Sequence, residues 1–304
     1  MDIQQKQYDE ITYKGIRWLL LFVFYLQFLI PVLLELKWDK YTDVPVPEFL
    51  LVMSIQLFAV FVPCVVFIYL NNASVKESFK LKNITLLQGV MCAFIGITAQ
   101  SVASILNVPA LIYLKSKTGQ FPSSTVPAPQ NVGHLLLFLI TVAMVPAIFE
   151  ELLMRGIVLT ATQNKGYRAS LFIGGLYFAL LHNQIESIAG HFFLGVLLCY
   201  IVWMTQSVFG GIIAHFCFNS SGMLLHYLTT VKGTAIPWLV SNGFYMGITI
   251  ASAVLFFLFL GTINRKRVKR NKSQRLKLQL IFSVINFPVM LIVLGYIMFQ
   301  LVRY

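Results

Sequence analysis

Ionisable and amide side chains stand at three places inside long apolar stretches of this sequence. They are the pair Glu150 and Glu151, then His182, then His215 with Asn219. A polar side chain inside a membrane is costly, so each such residue is a candidate functional residue. Carboxylates and histidines can take a proton from water, and histidine and asparagine can donate hydrogen bonds to an oxyanion. Together these residue types predict hydrolytic chemistry.

The acidic pair belongs to the sequence Phe-Glu-Glu-Leu-Leu-Met-Arg-Gly at residues 149–156, which follows 32 uncharged residues. Arg155 comes four residues after Glu151, the spacing of an ion pair on one helix face. We therefore expect Glu151 to be the structural partner of Arg155. Glu150 points about 100° away around the helix and is free to act as a general base. The alternative is that both carboxylates are interfacial charges at a helix end.

The residues of the two histidine motifs could also have purely structural roles. His182 follows an apolar run, where a histidine can be a hydrogen-bonded packing residue as readily as a catalyst. Glu186 comes four residues later, so His182 and Glu186 could also form a simple pair on one helix face. His215 and Asn219 share one helix face through their i, i+4 spacing. They can donate to an oxyanion or join neighbouring helices by polar contacts.

Other polar residues near these motifs receive lesser roles. His134 and His191 each open an apolar segment. His134 is expected to be interfacial and His191 to cap its helix, with a place in the cavity near His182 as the alternative for His191. Asn183 and Gln184 extend the polar patch after His182 and are expected to contact substrate backbone.

The composition defines the setting in which these residues must work. Of 304 residues, 58% are hydrophobic and 11% are charged, whereas soluble domains are about 25% charged. A water-soluble enzyme and a disordered regulator are excluded on this ground. The four cysteines lie in apolar runs without Cys-x-x-Cys, so no disulfide framework or cysteine zinc site is predicted. The chain is predicted to be an integral membrane protein.

A helix that crosses a bilayer needs roughly 20 mostly apolar residues. Nine segments meet this requirement. They are 17–36, 49–70, 84–106, 133–158, 169–187, 190–206, 211–231, 243–263 and 279–301. Residues 207–211 are predicted to form a turn, and residues 115–132 an external loop.

Basic residues predict the orientation. The formal net charge is +12, and eight Lys and Arg residues lie between Arg265 and Lys277. The basic loops 71–83, 162–168 and 264–278 are separated by even numbers of predicted spans, so all three can lie in the cytoplasm. This places the N-terminus inside. Basic residues beside spans are typical of topology signals and anionic lipid contacts, so no nucleic-acid partner is expected.

Three motifs follow one another within the predicted transmembrane helices. They are Glu-Glu-x-x-x-Arg at 150–155, Phe-x-x-x-His at 178–182 and His-x-x-x-Asn at 215–219. This series resembles the CPBP intramembrane proteases, the CaaX protease and bacteriocin-processing family, also called Abi, which includes the type II CaaX prenyl endopeptidases. The resemblance covers roughly residues 130–230, and the first three and last two spans carry no motif of this family.

The resemblance implies an intramembrane endopeptidase in which Glu150 and His182 activate a water and His215 and Asn219 stabilise the oxyanion. The positions that match the family's supporting residues are Glu151, Arg155 and Phe178. The implied substrate is a hydrophobic, lipidated or peptide substrate in the lipid bilayer, with bacteriocin processing as one possible role.

The resemblance leaves metal dependence open, because members of the family are commonly described as metalloproteases. Glu150, His182 and His215 would be the ligand set for zinc or another divalent metal. However, the chain has no His-Glu-x-x-His, and a Glu–His pair can activate water directly. We therefore expect no essential metal.

These inferences combine into an all-α, polytopic membrane protein of about eight to nine transmembrane helices. Its expected regions are a three-span unit with an external loop at 1–128, a protease core at 129–232, and C-terminal spans with a basic loop at 233–304. A bacterial cytoplasmic membrane is the expected location. The alternatives to an enzyme are a non-catalytic immunity or regulatory protein that binds a peptide or partner in the same cavity, and a transporter with a Glu–His proton relay.

Overall fold

The computed structural model describes residues 3–38, 47–122, 127–163 and 166–231, together with Val254. The helices are α1 Ile3–Trp38, α2 Glu48–Leu70, α3 Val75–Ser78, α4 Leu86–Thr118, α5 Val132–Thr162, α6 Tyr167–His182, α7 Ile188–Thr205 and α8 Val208–Val231. The predicted spans 243–263 and 279–301 and the basic loop 264–278 lie outside the described residues. Within the described part the chain has no strand, and the predicted all-α class is confirmed.

Six of these helices, α1, α2, α4, α5, α7 and α8, are long and apolar enough to cross a membrane. The chain is therefore an integral membrane protein. The predicted span 169–187 is not one continuous helix: α6 has 16 residues and ends at His182. Asn183 adopts a left-handed backbone with φ 48°, a conformation that asparagine tolerates and that commonly ends a helix. The sequence 185–187 then forms a separate 3₁₀ turn before α7.

Prolines explain two departures from regular α-helix. The segments Ile55–Phe61 in α2 and Leu139–Met144 in α5 are π-helical. Pro63 and Pro146 follow these segments, and a proline ring clashes with the carbonyl four residues before it. Widening the preceding turn relieves that clash without breaking the helix. A third π-helical segment, Leu152–Val158, contains Arg155.

Two predicted connections are shorter in the structure than the sequence suggests. Helix α4 continues to Thr118 and ends at Gly119, whose φ of 78° suits glycine, so the predicted loop 115–132 begins later. The predicted turn 207–211 is reduced to Gln206 and Ser207, because α8 already begins at Val208. The glycines after Val208 serve packing instead of a turn.

Small residues let the helices around the motifs approach closely, as membrane helices commonly require. At the contact of α6 with α7, a Cβ added to Gly195 would lie 2.8 Å from the Cα of Gly175. At the contact of α4 with α8, a Cβ added to Gly96 would overlap the carbonyl oxygen of Ala214. Ala214 precedes His215, so this contact sets the depth of that histidine.

One hydrophobic cluster joins residues of the N-terminal helices to the helices that carry the motifs. It combines Val23 of α1 and Val60 of α2 with Leu153 of α5, Phe178 of α6 and Leu198 of α7. The motif-bearing helices are thus packed against the N-terminal spans. The predicted region boundaries at 128 and 232 stay predictions.

We expect Gly96→Ala to destabilise the protein, because the new methyl group would overlap the backbone of α8. Overpacking of this kind typically costs about 1–3 kcal/mol, which exceeds the roughly 0.5–1 kcal/mol that alanine gains over glycine in a helix. The measurement is the thermal unfolding midpoint of the purified protein in detergent. Gly89→Ala in the same helix is the control, since its Cβ would meet Ile213 at an ordinary 3.7 Å. Equal midpoints for both variants would contradict the close contact of α4 with α8.

Candidate active site

Glu150 and His182 face each other from α5 and α6. Glu150 Oε2 lies 3.7 Å from His182 Nε2, and their side chains are 14% and 24% exposed. This distance is too long for a direct hydrogen bond. It leaves room for both atoms to contact one water molecule. The alternative pair His182–Glu186 is not among the ion pairs of the described residues, because the chain leaves the helix at Asn183.

His182 is held in a defined orientation. Its Nδ1 donates to the carbonyl oxygen of Phe178 at 2.7 Å, since a carbonyl can only accept. In the neutral ring Nε2 is therefore unprotonated, on the side of Glu150. The ring of His191 stacks on the ring of His182, with ring centroids 3.9 Å apart and an interplanar angle of 23°. The Nδ1 of His191 lies 3.2 Å from the Ser187 hydroxyl oxygen.

Glu150 is also held from the N-terminal part of the chain. Gln56 of α2 donates its Nε2 to Glu150 Oε1 at 2.7 Å. Beside this bond, the rings of Phe61 and Phe149 stack at 4.6 Å between centroids. Helix α2 therefore contacts two neighbouring residues of α5, one by a hydrogen bond and one by aromatic stacking.

Glu151 lies at the centre of a second, fully buried group. Its Oε1 accepts from Arg155 at 2.7 Å and from His215 Nδ1 at 3.0 Å. Arg155 also donates to the carbonyl oxygen of Gly195 at 3.1 Å. The side chains of Glu151 and Arg155 are 0% exposed and that of His215 is 2% exposed. The predicted i, i+4 ion pair is thus present, and it has a third member from α8.

Aromatic and small residues complete this buried group. The Arg155 guanidinium lies 4.5 Å from the centroid of the Phe178 ring, a favourable cation–π geometry. The same ring is edge-on to His215 at 5.6 Å. A Cβ on Gly211 would lie only 2.6 Å from Glu151 Oε2, so glycine is needed there for α8 to approach the carboxylate.

Two cavities meet at Glu150 and His182. The larger, of about 450 Å³, lies between α1, α2, the C-terminal half of α5 and the end of α6, and is lined by Gln56, Leu153 and Leu181 among others. The smaller, of about 300 Å³, lies against α4, α7 and α8. Glu150, His182 and Gln184 line both. The polar side chains found only in the smaller one are Gln100, His191, His215 and Asn219.

The structure therefore brings Glu150, His182, His215 and Asn219 to one cavity. Their catalytic roles stay predictions. Two further residues of the site were not predicted from the sequence. Gln56 and Gln100 are polar residues inside apolar spans, so the rule applied to the motifs could have found them. His191 lines the cavity and stacks on His182, which is the alternative to the capping role expected for it.

A catalytic zinc ion needs three protein ligands around one point. Among the described residues, no three His, Cys, Asp or Glu side chains are placed to hold one metal ion. The side chains of Glu150, His182 and His215 are therefore not gathered around one point in this arrangement, and independence from a metal stays a prediction. We derive no step of the reaction through a metal.

We expect Arg155→Met to destabilise the protein strongly, because Glu151 would keep a buried charge without its cation. Removing one partner of a buried ion pair typically costs about 3–5 kcal/mol. The double variant Glu151→Gln/Arg155→Met should recover part of this loss, since no charge is then left unpaired. The measurement is the thermal midpoint in detergent, with exposed Arg168→Met as a control. A double variant that loses the sum of the two single losses would argue against the pair.

The family model for type II CAAX prenyl endopeptidase Rce1-like proteins matches residues 132–221. No curated protein and no solved structure is similar enough to match the chain. The matched segment contains the acidic pair, both histidine motifs and Asn219, whereas Gln56 and Gln100 precede it. This match supports the resemblance of residues 132–221 to the CPBP family of CaaX-protease-like membrane proteins.

Proposed function

We propose that this protein is an intramembrane endopeptidase that hydrolyses a peptide bond with a water activated by Glu150 and His182. The observation that carries this proposal is the 3.7 Å separation of Glu150 Oε2 and His182 Nε2 at the junction of two cavities. A single water at hydrogen-bond distance from both atoms would sit beside a bound peptide. The family relation supports protease activity at the level of the family.

The hydrogen bonds of the pair suit this role. Because Nδ1–H of His182 donates to the Phe178 carbonyl oxygen, Nε2 can accept a hydrogen bond from the water. Glu150 Oε2 has no hydrogen-bond partner among the described residues and can accept a second hydrogen bond from the same water. The water oxygen then attacks the carbonyl carbon, and its proton passes to the Glu150–His182 pair. The same proton is delivered to the leaving amine when the C–N bond breaks.

His215 and Asn219 are proposed to stabilise the oxyanion from the smaller cavity. His215 binds Glu151 through Nδ1, so only Nε2 is left for a substrate. To donate a hydrogen bond from Nε2 as well, the ring must carry a proton on both nitrogens. Asn219 lines the same cavity and can donate its amide N–H without any change of charge.

The proposed substrate is a hydrophobic, lipidated or peptide substrate that reaches the site from the bilayer. Eight of the residues around the larger cavity are apolar and would favour an apolar segment. Prenylated proteins and bacteriocin or pheromone precursors both belong to this class. We further propose a bacterial cytoplasmic membrane, and a cytoplasmic N-terminus because two candidate spans, α1 and α2, separate it from the basic loop 71–83.

Glu150→Gln should abolish proteolysis while leaving insertion into the membrane intact, because an amide cannot take up the proton of the water. The measurement compares the termini of membrane and secreted peptides from cells that express the wild type or the variant at equal levels. Termini present only with the wild type would identify the substrate. Glu186→Gln makes the same chemical change on a residue that lines neither cavity and should cleave normally.

Two results would contradict the proposal. New termini that persist in the Glu150→Gln cells would remove Glu150 from the mechanism. Identical termini in all cells would favour a non-catalytic immunity or regulatory protein. Solute movement that depends on Glu150 and on the proton gradient would instead indicate a transporter.

Metal removal should leave proteolysis unchanged, because the site is not arranged to hold a metal ion among the described residues. The test is cleavage by purified protein after treatment with 1,10-phenanthroline, with metal content measured in parallel. Loss of cleavage that added zinc restores would show that a metal takes part and that Glu150, His182 and His215 rearrange around it.

A further inference from the structure

We propose that Gln56 is the positioning residue that aims Glu150 at the attacking water. This inference rests on the proposed function and concerns a residue outside the family-matched segment 132–221. Gln56 comes from α2, 94 positions before Glu150 in the chain, and is 6% exposed. The N-terminal spans would thus contribute directly to the active site.

The hydrogen bond from Gln56 gives the two carboxylate oxygens of Glu150 different roles. Oε1 accepts the Gln56 amide N–H at 2.7 Å, a short distance typical of a bond to a charged acceptor. Oε2 is left without a hydrogen-bond partner among the described residues, 3.7 Å from His182 Nε2. A carboxylate anchored through one oxygen cannot rotate freely about its terminal bond. The other oxygen is therefore directed to the position of the water.

The backbone of α2 supports this placement. Gln56 lies in the π-helical segment Ile55–Phe61, and such widened turns are frequent at functional sites. At the other end of that segment Phe61 stacks on Phe149, the residue before Glu150. The Gln56 amide and the Phe61 ring thus hold neighbouring residues of α5.

The burial of Gln56 argues for a functional role. Its Oε1 is buried and has no hydrogen-bond partner among the described residues. A buried acceptor left unsatisfied is costly, and a leucine of similar volume would avoid that cost. The favourable contact that remains is the one to Glu150. A residue kept only for packing would not require an amide at this position.

The first test measures kcat and KM of Gln56→Leu and Gln56→Glu on the peptide identified by the comparison of termini. The first variant removes the donor, and the second replaces it with a carboxylate that repels Glu150. We expect kcat to fall about 10- to 100-fold in both, with KM nearly unchanged, because positioning acts on the chemical step. The control is Thr98→Val, a buried hydroxyl that bonds only within its own helix and should keep the wild-type kcat.

The second test needs no substrate. Dicyclohexylcarbodiimide reacts with carboxyl groups in apolar surroundings, and peptide mass spectrometry locates the product. The Gln56 amide covers Oε1 of Glu150, so loss of Gln56 should expose that oxygen and raise the labelling rate of Glu150 several-fold. Glu151, which pairs with Arg155, is the internal reference, and its labelling should not change.

The outcomes separate this inference from the proposed function. If Glu150→Gln abolishes cleavage but both Gln56 variants keep the wild-type kcat and labelling, Gln56 is not a positioning residue and the endopeptidase proposal stands. If Glu150→Gln cleaves normally, the proposed function fails, and the labelling rate still reports whether Gln56 holds Glu150. A rise in KM alone would overturn the positioning role in favour of substrate binding. A folded fraction that falls while kcat per folded molecule is constant would reduce Gln56 to a structural residue.

Discussion

The ion pair of Glu151 and Arg155 is the interaction on which the arrangement of the site depends. Both side chains are fully buried, and the charge of each is compensated only by the other and by contacts from two further helices. The hydrogen bonds from Arg155 to Gly195 and from His215 to Glu151 offset part of the cost of burying the pair. Arg155 reaches Gly195 of α7 and Glu151 reaches His215 of α8. The need to satisfy these charges therefore fixes α5, α7 and α8 relative to one another.

Two adjacent carboxylates have different environments because of this arrangement. Glu151 points to the buried cation, whereas Glu150 points to the junction of the two cavities. The rotation of about 100° between neighbouring residues of a helix accounts for the difference. Glu151 orders the structure and orients His215, and Glu150 is left with an oxygen that contacts no donor. Phe178 links the two groups, since its ring packs on Arg155 and its carbonyl accepts from His182.

Helices outside the family-matched segment complete the site. Helix α2 supplies Gln56 to Glu150, and α4 supplies Gln100 to the smaller cavity. Close packing at Gly96 and Gly211 brings α8 deep enough for His215 to reach Glu151. In a membrane, where apolar surfaces gain little from contacting each other rather than lipid, such close contacts and buried hydrogen bonds carry much of the specificity of packing.

The membrane class, most of the spans and the local pairs follow from the amino-acid sequence, because they depend on composition and on the helical repeat. The Glu151–Arg155 contact is an example, since four residues make about one turn wherever the helix lies. The 169–187 segment was predicted as one span because its hydropathy does not reveal the left-handed Asn183. The contacts of Glu150 with Gln56 and of Glu151 with His215 join residues 94 and 64 positions apart. Close packing over many residues decides which helices meet and at what depth. The contacts of Glu150 with Gln56 and of Glu151 with His215 can therefore be read only from the folded structure.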